Sequence, residues 1–309
     1  MKYFFKLIRW PNLLLLALMQ LTFRYGFLNL QNIDLALNDV QYCLLVLSTV
    51  LLAAAGYVIN DIYDQETDND NKPTKVIVGK NISEGKAYNI YVIMNITGVA
   101  IGFYLSNVIY KPGFATIFIL IATTLYFYAT SLKQMMLVGN VVVAILLAIS
   151  VVIIPVFDLF PVTNIGNQQT MANLFSVITD YAIFAFIINF LREIVKDIED
   201  ANGDYNQGMH TLPIALGKSR ASKLVLGLSI IPVALVLNYI NTYFIANNLF
   251  VVTIYALVLI AGPLIYFTIK MWSAKTSNDF HHLSSVLKAV ILFGIVSIAV
   301  VTLNIQYNA

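Results

Sequence analysis

Asn60 to Lys72 reads NDIYDQETDNDNK. An apolar run, Leu44 to Ile59, ends abruptly in it. Acidic residues follow at once: Asp61, Asp64, Glu66, Asp68 and Asp70. If the helix of the apolar run continues, each residue turns by about 100°. Asn60, Asp64 and Asp68 then stack at i, i+4 and i+8, with Asp61 beside them, on one stripe roughly 100° wide. Like charges stacked in this way repel, so an isolated helix would not choose the arrangement. A divalent cation explains it. Mg²⁺ prefers carboxylate oxygens and shares its shell with water and substrate phosphate. The plain alternative is a solvated loop at the membrane edge, which accounts for the acidity but not for the helical spacing.

Asn189 to Asp204, NFLREIVKDIEDANGD, repeats the design. On a helix, Asn189, Glu193, Asp197, Asp200 and Asp204 fall within an arc of roughly 80°, and Glu199 points the other way. Gly203 is expected to end or kink that helix before Asp204. The run Asp200-x-Asn202-x-Asp204 also imitates the start of a calcium-binding EF-hand loop. Tyr205 at the sixth position and Thr211 at the twelfth, in place of Gly and Glu, exclude that reading. Two acidic stripes, each at the end of an apolar span, suit a protein that holds a diphosphate through bridging metals.

Composition fixes the class. The chain has 309 residues, 59% hydrophobic and 11% charged, with mean hydropathy +0.79. A soluble domain averages about 25% charged residues. A net charge of +2 without a long basic run excludes nucleic acid as a partner. Cys43 is the single cysteine, so no intrachain disulfide and no cysteine-based metal site can form. Nine apolar runs are long enough to span a bilayer, at roughly 12–30, 41–60, 88–110, 114–132, 138–157, 173–193, 223–244, 249–271 and 286–305. The first resembles a signal peptide, but no small-residue cleavage site follows and Arg24 sits late in it, so it reads as an uncleaved span.

Loop charge sets the orientation. Lys2, Lys6 and Arg9 precede span one, Lys72, Lys75, Lys80 and Lys86 follow span two, and Lys133 follows span four. Lys196, Lys218, Arg220 and Lys223 surround the end of span six, and Lys270 and Lys275 follow span eight. The alternate loops carry only Lys111. The N-terminus and both acidic loops are therefore expected on the cytoplasmic face of the cytoplasmic membrane. The expected architecture is an all-α, polytopic bundle of about nine transmembrane helices around a central cavity open to the cytoplasm. No Pro-rich or Gly/Ser-rich linker divides it, so residues 1–309 read as one domain. Arg24 reads as a cavity-facing or structural charge. Tyr57, Tyr63, Tyr126 and Tyr128 read as an interfacial belt, and His281-His282 as a solvated loop pair.

N-D-x-x-D-x-x-x-D at Asn60, Asp61, Asp64 and Asp68, followed by Asn71-Lys72-Pro73, resembles the first signature of the UbiA superfamily of intramembrane prenyltransferases. Asp197-x-x-Asp200-x-x-x-Asp204, followed by Gly208 and Thr211-Leu212-Pro213, resembles the second. Leu132-Lys133 leading into Gly139-Asn140 is also similar to family members. The resemblance implies Mg²⁺-dependent transfer of an isoprenyl group from a prenyl diphosphate to a lipophilic acceptor among membrane lipids. The metal-holding set is then Asn60, Asp61, Asp64, Asp68, Asp197, Asp200 and Asp204, with Asp64, Asp68, Asp200 and Asp204 catalytic. Substrate contacts are expected from Asn60, Asp61, Lys72, Lys133, Asn140, Arg192 and Asp197, with Lys75 and Lys196 as further phosphate clamps. Positive-inside topology by itself accounts for most of those lysines.

The chain departs from the family pattern twice. Thr74-Lys75-Val76-Ile77-Val78-Gly79 replaces an Arg-Pro-Leu-x-x-Gly run, and Lys75 cannot offer the bidentate fork of Arg. Gly208-Met209-His210-Thr211 replaces Gly-x-Lys-Thr, and a neutral His210 binds phosphate less firmly. The string Arg192 to Asp200 looks most like the lipid-forming branch, the digeranylgeranylglyceryl phosphate synthases, which alkylate geranylgeranylglycerol phosphate to form an ether lipid. The alternatives are an aromatic acceptor of quinone or haem synthesis, and a non-catalytic cation transporter. Transporters place their charges near the bilayer midplane, whereas these acids cluster at span ends.

Overall fold

The computed structural model describes residues 1–66, 69 and 76–308. Asp68, Asp70, Lys72 and Lys75 lie outside the described residues. Among those described there is no strand, and nine helical segments are long and apolar enough to cross a membrane. They are Trp10–Gln31, Asp39–Tyr63, Glu84–Val108, Pro112–Thr130, Val138–Val162, Gln168–Asn206, Lys218–Ile245, Phe250–Ser273 and Ser277–Asn308. A short helix, Lys2–Leu7, precedes them. The protein is an integral, multi-pass membrane protein.

Local chemistry sets several of these boundaries. The second span opens on a capping box: Asn38 Oδ1 accepts from Gln41 N at 2.9 Å, and Gln41 Oε1 accepts from Asn38 N at 2.9 Å. Ser48 Oγ on that span donates to Gly98 O on the third at 2.7 Å. A Cβ at Gly98 would meet Leu52 at 3.0 Å, so the missing side chain is what lets the two helices close. At the far end of the bundle Arg24 pairs with Asp158, and Arg24 Nη2 donates to Leu37 O at 2.6 Å. Arg24 is therefore a structural charge.

The sixth span has 39 residues. At 1.5 Å per residue it is about 58 Å long, against roughly 30 Å of bilayer hydrocarbon. Its projecting C-terminal part carries the second acidic stripe. Gly203 neither ends nor kinks it. Ala201, Gly203 and Asp204 are buried there while Asn202 is exposed, and burial of that face offsets the helix cost of a glycine, about 1 kcal/mol. The residue that stops the helix is Gly208, at φ +68°, where the backbone turns left-handed and Met209 N returns to Asp204 O at 3.0 Å.

The second span behaves differently. Its helix stops at Tyr63, and Asp64 is the cap residue, its N–H still on Asn60 O at 2.9 Å. Helical geometry resumes at 65 and 66. The expected unbroken stripe through Asp64 is thus interrupted. The helix C-terminus carries the negative end of the dipole, the worst place to stack carboxylates. His281 and His282 are also on a helix, Ser277–Asn308, and not in a loop.

Three apolar clusters form the core. One, around Ala55, Val58, Ile59 and Val78, supports the first acidic motif. Another, around Ile188, Leu191, Ile194, Val195 and Ile198, supports the second. The third, around Tyr42, Phe118, Phe157 and Ile298, fills the opposite half of the bundle.

Candidate active site

The polar residues converge where the first two of those clusters meet. Arg9, between the N-terminal helix and the first span, reaches Asp61: Nη2 lies 2.8 Å from Oδ1. Its guanidinium sits 5.0 Å over the Tyr57 ring. Asn12 Nδ2 donates to Tyr57 OH at 3.3 Å. One turn along the second span, Asn60 Nδ2 donates to Asp64 Oδ2 at 2.5 Å, and Lys133 Nζ pairs with Asp64 Oδ1.

Lys133 comes from the short turn Leu132–Gln134, which rests on the start of the fifth span. A Cβ at Gly139 would stand 2.9 Å from Lys133 Cα and 3.1 Å from Leu132 O. Glycine at 139 is therefore what lets Lys133 reach the carboxylate. The next residue, buried Asn140, donates from Nδ2 to Asp197 Oδ2 at 2.7 Å. The backbone of His210 donates to Gln134 O at 2.9 Å and ties the stretch after the second motif to the same turn.

On the sixth span, buried Glu193 takes Lys196 at 2.9 and 3.2 Å and Arg192 at 3.2 Å. Asp204 is buried and Asp200 half-buried on the same face. Tyr128, half-buried on the fourth span, lies within electrostatic reach of Asp64, Glu193, Asp197 and Arg9 together. The two motifs thus face each other across a few residues from spans one, four and five. The N-terminus and the stretches after spans two, four and six share one end of the bundle.

Of the residues singled out in the sequence, the fold brings together Asn60, Asp61, Asp64, Lys133, Asn140, Asp197, Asp200 and Asp204. Arg192 and Lys196 reach the assembly but spend themselves on Glu193, and Arg192 stands off the carboxylate arc by roughly a quarter turn. Glu199 does face away, and its carboxylate takes His281 Nδ1 at 3.1 Å. Tyr63 and Tyr126 are exposed and meet edge to face, as a belt would. Tyr57 and Tyr128 belong to the polar assembly instead. Arg9 and Asn12 carry no motif in the sequence, where Arg9 is only a topology charge, and it is the packing of the first span on the second that brings them here. Glu193 does carry a signal, its place on the carboxylate arc.

Among the described residues no three His, Cys, Asp or Glu side chains form a ready metal cage. Mg²⁺ does not demand one, since one or two carboxylates plus substrate phosphate usually suffice. Asn60 Oδ1 is buried without a partner among the described residues, on the side chain whose Nδ2 already holds Asp64. An oxygen-only donor set with an unused amide oxygen fits a hard cation.

The description "UbiA prenyltransferase family" matches residues 25–292 of this chain, which include both motifs and the Lys133–Asn140 stretch. The chain belongs to the UbiA prenyltransferase family. It is 30% identical over 270 residues to a digeranylgeranylglyceryl phosphate synthase of Methanobrevibacter smithii, covering 87% of this chain and 89% of the relative. A solved digeranylgeranylglyceryl phosphate synthase superposes with TM-score 0.62 at 24% identity, over 97% of this chain and 98% of that one. A UbiA homologue from Archaeoglobus fulgidus, solved with DMAPP and Mg²⁺, superposes with TM-score 0.57 at 18% identity, over 96% and 98%. At these identities the structural likeness is one of fold. As a UbiA prenyltransferase, this chain is an enzyme with its acidic motifs gathered at one end of the bundle.

Proposed function

We propose that this UbiA prenyltransferase transfers an isoprenyl group from a prenyl diphosphate to the hydroxyl of geranylgeranylglycerol phosphate, an ether-lipid step. The observation that carries the reading is the convergence of Asp64–Lys133 and Asp197–Asn140 from two separate acidic motifs. The relative from Methanobrevibacter smithii supports the choice of acceptor. The Archaeoglobus fulgidus homologue supports prenyl diphosphate and Mg²⁺ as the donor pair. Residues 1–309 act as one domain, and the polar seam is the mouth of a central cavity on the cytoplasmic side, as the loop charges argue.

Bound Mg²⁺, held by Asn60, Asp61, Asp64, Asp68, Asp197, Asp200 and Asp204, supplies charge neutralisation of the diphosphate. Lys133 and Lys72 add direct contacts to its oxygens, and Asn140 holds Asp197 in place. The C1–O bond of the allylic diphosphate breaks, its electron pair leaving with the diphosphate. The acceptor hydroxyl oxygen bonds to C1, and its proton passes to the departing diphosphate. Tyr57 and Tyr128 wall the seam and keep water from competing for the cation.

The test is consumption of prenyl diphosphate by purified protein with a panel of acceptors, with Mg²⁺ present or chelated. Ether product from geranylgeranylglycerol phosphate, lost on chelation and restored by Mg²⁺, is expected. Product from an aromatic acceptor alone would replace the acceptor assignment. Full turnover without divalent metal would remove the role given to the carboxylates. Cysteine labelling at Asn69 and Asn206 should report the cytoplasmic face for both, and opposite faces would break the shared site.

A further inference from the structure

The sixth and ninth spans run antiparallel, and one contact fixes their register. His281 Nδ1 meets Glu199 Oε1 at 3.1 Å, and Ser277 Oγ reaches Glu199 O at 3.5 Å. Seven residues deeper along each helix stand Lys288 and Arg192. Seven residues are two turns, so both return to the contacting face about 10 Å further into the bundle. Two cations therefore face each other inside the membrane end of the protein.

Lys288 has no carboxylate of its own among the described residues, and Arg192 has only a shared one. Lys288 Nζ donates to the neutral Asn12 Oδ1 at 2.7 Å, and no carboxylate among the described residues lies within ion-pair distance of it. It lies within reach of the Arg192 charge. Arg192 shares Glu193 with Lys196, and its Nε is buried with no partner among the described residues. Asn12 links this pair to Tyr57, over which Arg9 lies. Two facing cations repel, and burial raises the cost. A diffuse anion with several acceptor oxygens would satisfy Lys288, Asn12 and Arg192 at once.

We propose that Lys288, Arg192 and Asn12 form a phosphate-monoester subsite, separate from the carboxylate stripes, that holds the headgroup of the acceptor lipid. This rests on the acceptor chemistry proposed above and says which residues read it. The separation has a geometric basis. Arg192 shares the face of Glu199, turned toward the ninth span, while Asp197, with Asp200 and Asp204 on its flank of the helix, looks toward the fifth, where it meets Asn140. The donor diphosphate and the acceptor phosphate then sit on adjoining faces of one helix, with the acceptor glycerol between them.

The experiment compares geranylgeranylglycerol phosphate with its dephosphorylated alcohol, in wild type, Lys288→Gln, Lys288→Arg and Asn12→Ala, with binding of the prenyl diphosphate measured in parallel. Wild type is expected to favour the phosphorylated acceptor. Lys288→Gln is expected to lose about ten- to a hundredfold of that preference through KM for the acceptor, the size of a lost charged hydrogen bond. Affinity for prenyl diphosphate, which also reports folding, should stay unchanged, and Lys288→Arg should keep the preference. Asn12→Ala should lose a smaller part of it. If wild type prefers the phosphorylated acceptor and Lys288→Gln prefers it equally, the subsite is wrong and the acceptor assignment stands. If Lys288→Gln weakens the donor and not the acceptor, the pair serves the diphosphate and the subsite is wrong. If wild type uses neither acceptor, the acceptor assignment has failed and takes the subsite with it.

Discussion

The bundle carries ionic clusters at both ends, and they are built to different ends. At the far end, Asp158 is 0% exposed and both its oxygens are taken, Oδ2 by Arg24 and Oδ1 by the backbone N–H of Leu37. Arg24 is 4% exposed and also covers the Tyr42 ring at 4.8 Å. At the acidic end, Asp61 and Asp64 keep 12% and 15% of their side chains exposed, and Asn60 Oδ1 has no partner among the described residues. The first cluster matches its charges out of solvent, with only Arg24 Nε left without a partner among the described residues, and joins the first span to the fifth. The second leaves capacity for something that arrives. What separates the two ends is solvent access: the structural pair is sealed, and the acidic carboxylates keep an open side.

The largest effect should come from opening the closed cluster. Asp158→Ala leaves buried Arg24 with only the exposed Asp39, 3.7 Å away, as a counter-charge, and breaking one side of a buried pair costs about 3–5 kcal/mol. Thermal unfolding in detergent should register that loss, while the rate per folded molecule stays within a few-fold of wild type. Replacing both partners with apolar residues should recover much of the stability. If Asp158→Ala abolished turnover in a protein that melted normally, the two ends would not differ in the way described.

The next effect, of similar size, belongs to the rate and not to stability. Asp64→Asn and Asp200→Asn keep shape and remove charge. Losing one group that stabilises developing charge costs about 3–4 kcal/mol, or 10²–10³ in rate. Both variants should be nearly inactive at unchanged melting temperature, measured at saturating Mg²⁺ so that weakened metal affinity is not mistaken for lost chemistry. A drop in stability matching that of Asp158→Ala would mean that these carboxylates hold the fold.

The contrast also explains what was legible in the sequence. The open cluster was, because carboxylates at helical spacing beside an apolar span have no cheap structural reason to exist. The nine spans and the shared end of the acidic stretches followed from hydropathy and loop charge. Asp158 was invisible as a partner, since its bond to Arg24 joins residues 134 positions apart and neither neighbourhood has a pattern. Arg9 and Lys288 were hidden for a different reason. Each sits among residues that positive-inside topology or chance explains equally well, and only the register of spans one, six and nine sets them against Tyr57, Asn12 and Arg192. Gly203 misled because local propensity names it a helix stop, while packing carries the helix on to Gly208, where positive φ is actually required.

The smallest effect tests the helical face that organises the open cluster. Glu199 lies next to Asp200 in sequence but on the opposite flank of a continuous helix, with its carboxylate on His281 at 3.1 Å. His281 is largely exposed, and a pair at such a surface contributes at most about 1 kcal/mol. Glu199→Gln keeps a hydrogen-bonding side chain of the same length. It should therefore change turnover by less than a few-fold and leave Mg²⁺ dependence where it was, in the same preparation that shows Asp200→Asn nearly inactive. Adjacent acids with effects differing by two orders of magnitude have one simple explanation, that a rigid helix points one at the substrate and the other at the ninth span. Equal damage from the two would mean that the sixth span unwinds around its ligand, and the register that sets Lys288 against Arg192 would have to be drawn again.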